Sequence, residues 1–189
     1  MEKKFNVLFL SNMMAEKGVW TLVSAAQVLR QRGFDFEVHF VGKWSDISED
    51  DFTALVREAR LESVCMAHGP QYGQDKEVFW RNADLFVFPT FYHNECFPLV
   101  LLEAMQHGVA CISTAEGGIP GIIDDGKTGF LVERQNAPML ADKMEWLMEN
   151  PQECKQMGQA GREKFEREYT LDVFENRMVN ILNACLEGE

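Results

Sequence analysis

A chain of 189 residues with 46% hydrophobic and 25% charged residues has the size and make-up of one globular domain, which excludes a disordered polymer. Its formal charge of -12 argues against a nucleic-acid partner, because phosphate backbones select clustered Lys and Arg, and against docking of this surface on anionic lipid. No apolar run reaches the roughly 18–20 residues that span a bilayer. The start, Met1-Glu2-Lys3-Lys4, leads into a strand-like run rather than a signal-peptide core, so a cytoplasmic location is expected.

In chain order, residues 5–11 (FNVLFLS) read as a buried strand, and residues 20–29 place Leu22, Val23, Ala26 and Leu29 at helical spacing before Gly33. Residues 34–41 alternate as a strand, 51–60 carry Phe52, Leu55, Val56 and Ala59 on one helical face, and 64–67 form a short strand closed by Gly69-Pro70. A short helix at 76–82 precedes a buried strand at 85–88 that Pro89 ends. The theme repeats with a helix at 98–106, a strand at 109–113, a turn at Gly117-Gly118 and a strand at 129–132. After Pro138 the pattern is helical over 139–148, 151–168 and 171–186.

This alternation predicts an α/β fold: a single Rossmann-like, doubly wound parallel sheet with helices on both faces, over residues 1–189, with 138–189 mostly helical. Ligands of such sheets bind beyond the carboxyl ends of the strands, so the residues just after each strand carry the functional signal. The five cysteines form no CxxC pair and stand near no His at zinc spacing. Cys65 and Cys111 sit in apolar runs as small core residues, whereas Cys96 lies among polar neighbours of interest.

Three segments follow strand ends. In Pro89–Ala104 a strand, a loop and a helix follow in order, with Pro98 placed in the first helical turn, where its missing N–H costs nothing. Glu95 stands at the mouth of that helix, whose free amides and positive end suit an anion. Glu103 interrupts an apolar run and is expected to be half-buried, needing hydrogen-bond donors; a ribose diol or a nearby basic group would serve equally. Lys17, at the start of the first helix, suits a diphosphate, with an exposed surface lysine as the alternative. Gly117-Gly118 permit close approach of backbone to a ligand or a plain turn. The stretch Asp124-Asp125-Gly126-Lys127-Thr128-Gly129 reads as a structural turn, and no GxGxxG or P-loop is present.

Taken in order, Lys17-Gly18, Ala83–Pro89, Glu95 and Glu103 with the intervening CFPLVLL, Gly117-Gly118 and Asp125–Val132 resemble the C-terminal domain of retaining glycosyltransferases of family four, which have the GT-B fold. The resemblance implies a donor site for a UDP-, GDP- or ADP-linked sugar, with no cofactor and no metal. Within it Glu95 would be the catalytic carboxylate facing the donor sugar, and Glu103 would hold the ribose hydroxyls. The amides of Phe97, Leu99 and Val100 would meet sugar and phosphate oxygens, Gly117 and Gly118 would line the site, and Lys17 would neutralise the diphosphate. Asn12 stands where the family usually has Arg, Cys96-Phe97-Pro98 replaces the usual GFG, and Gly121 stands where Glu is common. Relative to the family pattern, Asn12 removes one phosphate-binding charge and Pro98 removes one amide.

The resemblance also implies an N-terminal acceptor domain absent from this chain, without which no transfer is expected. Membrane contact of the full enzyme would then lie elsewhere than on this acidic domain. The last helix resembles the segment that crosses back to that domain, so Phe174, Met178 and Ile181 are expected to be exposed or paired with another chain. Base selectivity is expected from loops at 69–73 and 90–94. Alternative readings are a non-catalytic binding or scaffold module, favoured by Asn12 and Pro98, and another GT-B enzyme such as a sugar-nucleotide epimerase or, last, a phosphorylase.

Overall fold

Six parallel strands run through the centre of the structure, a computed structural model describing residues 4–187: β1 (Phe5–Leu10), β2 (Phe36–Val41), β3 (Cys65–Ala67), β4 (Leu85–Phe88), β5 (Ala110–Thr114) and β6 (Gly129–Val132). Their order in the sheet is β3-β2-β1-β4-β5-β6, the doubly wound Rossmann-like arrangement that the alternation predicts. Val7 pairs with Val38 on one side and with Leu85 on the other, so β1 and β4 lie side by side although 74 residues separate their ends. The strands read as continuous apolar runs because both sheet faces are covered: Val7, Leu8 and Phe9, and all four residues of β4, are buried.

The helices are α1 (Val19–Gln31), α2 (Glu49–Glu58), α3 (Gly73–Asn82), α4 (Leu99–Gln106), α5 (Ile119–Ile122), α6 (Ala137–Glu149), α7 (Pro151–Glu168) and α8 (Leu171–Glu187). Several boundaries differ from the expected ones for local reasons. α2 starts two residues early because Ser48 forms a capping box: its Oγ accepts from the Asp51 amide at 3.1 Å and the Asp51 carboxylate accepts from the Ser48 amide at 3.3 Å. α6 takes Pro138 into its first turn, behind an Asn136 cap whose side chain accepts from the Met139 amide. α3 begins at Gly73 rather than 76, and α5, read as part of a turn, is a one-turn helix held by buried Ile119 and Ile122.

α7 lies against the β5 entry so closely that a Cβ on Gly158 would stand 2.0 Å from the Gly108 carbonyl oxygen. Cys65, Cys111 and Cys154 are buried, and burial pushes the thiols of Cys65 and Cys154 up to about 12, which keeps them protonated and unreactive. Among the described residues no helix is long and apolar enough to cross a membrane. α8 leaves Phe174, Met178 and Ile181 exposed, as expected.

Under α3 a cavity of about 210 Å³ is lined by His39 of β2, His68 after β3, Asn6 and Phe79. The His39 Nδ1 and His68 Nε2 atoms are 3.0 Å apart, so one ring must donate and the other accept. Burial lowers the pKa of His39, against the opposing pull of Glu37; burial and then His39 lower that of His68. Folded values below the unfolded ones mean that this stability is complete above pH 6.5 and lost as pH falls from there to the folded pKa values. Thermal unfolding at pH 7.5 and 5.5 should therefore show a drop for the native chain that is smaller in His68→Gln. An equal drop in both contradicts the assignment.

Candidate functional site

The crevice between the carboxyl ends of β1 and β4 is the topological switch point, since the chain leaves β1 in one direction along the sheet and enters β4 on the other. The segment after β1 forms a 3-10 turn (Ala15–Lys17) that ends at Gly18, with φ 88°. Only glycine fits there: a Cβ would stand 2.2 Å from the Pro89 carbonyl oxygen and would also require a left-handed backbone. The close approach is sewn by the Phe91 amide, which donates to the Glu16 carbonyl at 2.8 Å, and by the Thr90 hydroxyl, which donates to the same oxygen at 3.2 Å.

Across this seam Lys17 Nζ meets Glu95 Oε2 at 2.7 Å, with side chains only 14% and 10% exposed. Thr90 Oγ1 lies 3.3 Å from the same carboxylate oxygen. The Lys17 ammonium also sits 4.3 Å from the centroid of the Tyr92 ring, a cation–π contact. The two residues expected to face the diphosphate and the sugar are thus brought together from 78 positions apart, each as the other's partner. Thr90 and Tyr92, which the sequence places in a loop expected to set base selectivity, complete the enclosure. Their neighbours Phe88 and Pro89 mark the strand end, but nothing in the residues themselves announces a role beside a lysine.

Pro98 is the N-cap of α4 rather than a residue of its first turn, and its ring is buried. Leu99 and Val100 take the first two helical positions, where their amides have no acceptor within the helix. Phe97 and Leu99 are 45% and 66% exposed, so this helix start opens outward beside Glu95.

Glu103 is half-buried as expected, and the structure gives it the basic partner: Lys76 Nζ of α3 lies 2.9 Å from its Oε2. Lys76 in turn lines a cavity of about 200 Å³ with Asn12, Gly42, Lys43, Gln71 and Tyr72, formed by the ends of β1 and β2 and the loop before α3. The uncharged Asn12 therefore shares its cavity with two lysines, neither of which sequence reading singled out. Their only signal was position, since Lys43 directly follows the strand-ending Gly42.

Gly117 and Gly118 do lie at the site, but the close approach they allow is to protein. A Cβ on Gly117 would stand 1.6 Å from the Glu95 carbonyl oxygen and one on Gly118 2.6 Å from that of Cys96, whose oxygen accepts the Gly118 amide at 2.7 Å. Paired glycines thus hold the Glu95 loop from behind. Cys96 is exposed. Among the described residues no group of three or more His, Cys, Asp or Glu is arranged to hold a metal ion. The site offers paired charges, helix-start amides and an adjoining cavity that two lysines help to line, which suit an elongated anion.

A profile for the family described as Glycosyl transferases group 1 matches residues 1–164. D-inositol 3-phosphate glycosyltransferase from Arthrobacter sp. (strain FB24) is 35% identical over 159 residues, 83% of this chain and 37% of that protein. Sucrose-phosphate synthase from Thermosynechococcus elongatus superposes with a TM-score of 0.85 at 25% identity, over 98% of this chain and 46% of that one. Anabaena HepE, solved in complex with UDP and glucose, superposes with a TM-score of 0.84 at 19% identity over 96% of this chain and 49% of that one, a likeness of fold. The chain spans less than half the length of the curated relatives it matches.

The glycine geometry separates two substitutions. Gly117→Ala, with φ 51° and backbone in the way, should destabilise by about 1–3 kcal/mol in denaturant unfolding. Gly121→Ala, where no atom lies within 4 Å and φ is ordinary, should stay within about 0.5 kcal/mol. Equal effects would show that Gly117 is not holding the loop.

Proposed function

The chain belongs to the group 1 glycosyl transferases, and from that membership we propose that it is the donor-binding domain of an enzyme that transfers a sugar from a nucleotide-diphosphate sugar to an acceptor with retention of configuration. The observation that carries this reading is the Lys17–Glu95 pair across the β1/β4 switch point, with the amides of the α4 start on one side and, on the other, a cavity that Asn12, Lys43 and Lys76 help to line. HepE, of the same fold, is solved with UDP-glucose, which supports a nucleotide sugar as the ligand class.

In this reading the nucleoside enters the cavity between β1, β2 and the loop before α3, and Glu103 turns from Lys76 toward the ribose hydroxyls. The diphosphate lies along the α4 start, accepting from the amides of Phe97, Leu99 and Val100 and drawing Lys17 from Glu95. Lys43 and the released Lys76 supply the positive charge that Asn12 lacks. As the bond between the anomeric carbon and the diphosphate breaks, negative charge grows on the diphosphate, and Lys17 with the helix end stabilises it in place. Glu95, freed of its lysine, faces the sugar. The acceptor side of the cleft belongs to a further domain, so this chain alone performs no transfer.

A second reading, a domain that binds donor without transfer, is favoured by Asn12 and by Pro98, which has no amide to offer. Full-length protein that binds donor yet neither transfers nor hydrolyses it would establish that alternative.

Calorimetry with UDP, GDP, ADP and their common sugars should show binding of one nucleotide class by this chain. Loss of a charge-assisted hydrogen bond in Glu103→Ala should weaken it by about tenfold to a hundredfold, and Lys43→Ala should weaken it several-fold. Well-folded protein that binds no nucleoside diphosphate at millimolar concentration would overturn the proposal.

A further inference from the structure

Lys164, about one turn before the end of α7, is the one charged residue that is buried among the described residues, at 5% exposure. Its ammonium donates to Asp124 Oδ1 at 2.7 Å and to the Gly121 carbonyl at 3.0 Å. Tyr169, just past the end of α7, donates its hydroxyl to that same carbonyl at 2.9 Å. One peptide oxygen at the end of α5 is therefore held by two side chains of the last helical layer. Asp124 is itself fixed: its carbonyl accepts from the amides of Lys127 and Thr128, and its amide donates to the Thr128 hydroxyl.

The other end of α5 is the bracket behind Glu95. The Gly121 amide donates to the Gly118 carbonyl at 3.0 Å, and the Gly118 amide donates to Cys96. A direct contact runs beside this path, because the Tyr169 ring meets Phe97 edge-on at a centroid distance of 6.0 Å. A buried lysine is a poor device for stability alone, since apolar residues of similar size often serve as well. Asp124 is 41% exposed at its side chain and would stay solvated without Lys164.

We infer that Lys164 and Tyr169 are positioning residues for the donor-sugar end of the site, clamping the Gly121 carbonyl so that α5 and Phe97 hold the Glu95 loop in place. The inference rests on the proposed donor site for its functional part and on geometry alone for the clamp.

Hydrogen exchange on the ligand-free chain tests the clamp. In Lys164→Met and in Tyr169→Phe the amides of Gly118 and Glu95 should exchange about tenfold faster, while β4 and α4 keep their protection. Lys164→Arg, which keeps the donors, should restore slow exchange, and Tyr169→Phe carries the test if Lys164→Met does not fold. Calorimetry then tests the role: affinity for the nucleotide sugar should fall about fivefold with affinity for the nucleoside diphosphate within about twofold of native. Unchanged exchange at Gly118 and Glu95, protection lost evenly across the sheet, or a parallel fall in both affinities would overturn the inference. Local loosening in a chain whose native form binds no nucleotide would support the clamp and refute the donor site instead.

Discussion

The Lys17–Glu95 ion pair is the interaction around which the candidate site is organised. It joins the segment after β1 to the segment after β4, at the place where the sheet changes winding direction. Removing one partner of a largely buried pair leaves the other uncompensated, which is costly. The geometry that makes the pair short is supplied by neighbours with no charge: Gly18 lets the 3-10 turn settle against Pro89, and two hydrogen bonds to the Glu16 carbonyl fix the register of the loops. Gly117 and Gly118 close the same loop from behind. A ligand that drew Lys17 away would leave Glu95 facing the crevice, with the Thr90 hydroxyl 3.3 Å away.

The fold was legible because its signals are local. Runs such as FNVLFL and LFVF are apolar at consecutive positions, as strands covered on both faces must be, and the spacing of Leu22, Val23, Ala26 and Leu29 can only line one side of a helix. Elements whose cause is brief or tertiary were less legible. The four residues IPGI of α5 carry Pro and Gly and look like a turn; Ile119 and Ile122 make them helical by burial. The start of α2 lies in an acidic run whose meaning depends on Ser48 as its cap.

The site was half legible for the same reason. Glu95, Glu103 and Lys17 stand out because a charge near a helix start or inside an apolar run needs an explanation. Their partners do not stand out: Lys76 meets Glu103 across 27 positions, and Lys17 meets Glu95 across 78. Periodicity carries no information at such separations. The glycine pair stands out for its conformational freedom, while its use, holding backbone against backbone, exists only in the folded chain. Lys164 carries no signal in the sequence, because it stands among other charged residues of its helix and its burial depends on the loop packed over it.

In the proposed donor site Lys17 gives up Glu95 when a diphosphate arrives, and this exchange can be measured directly. Nucleoside diphosphate affinity should be determined by calorimetry for the native chain, Glu95→Gln and Lys17→Ala under one set of conditions. Glu95→Gln should bind at least as tightly as the native chain, because Lys17 no longer leaves a carboxylate to reach the ligand, while Lys17→Ala should bind about tenfold or more weakly. A loss in Glu95→Gln as large as that in Lys17→Ala would contradict the exchange and make the pair a structural bridge instead.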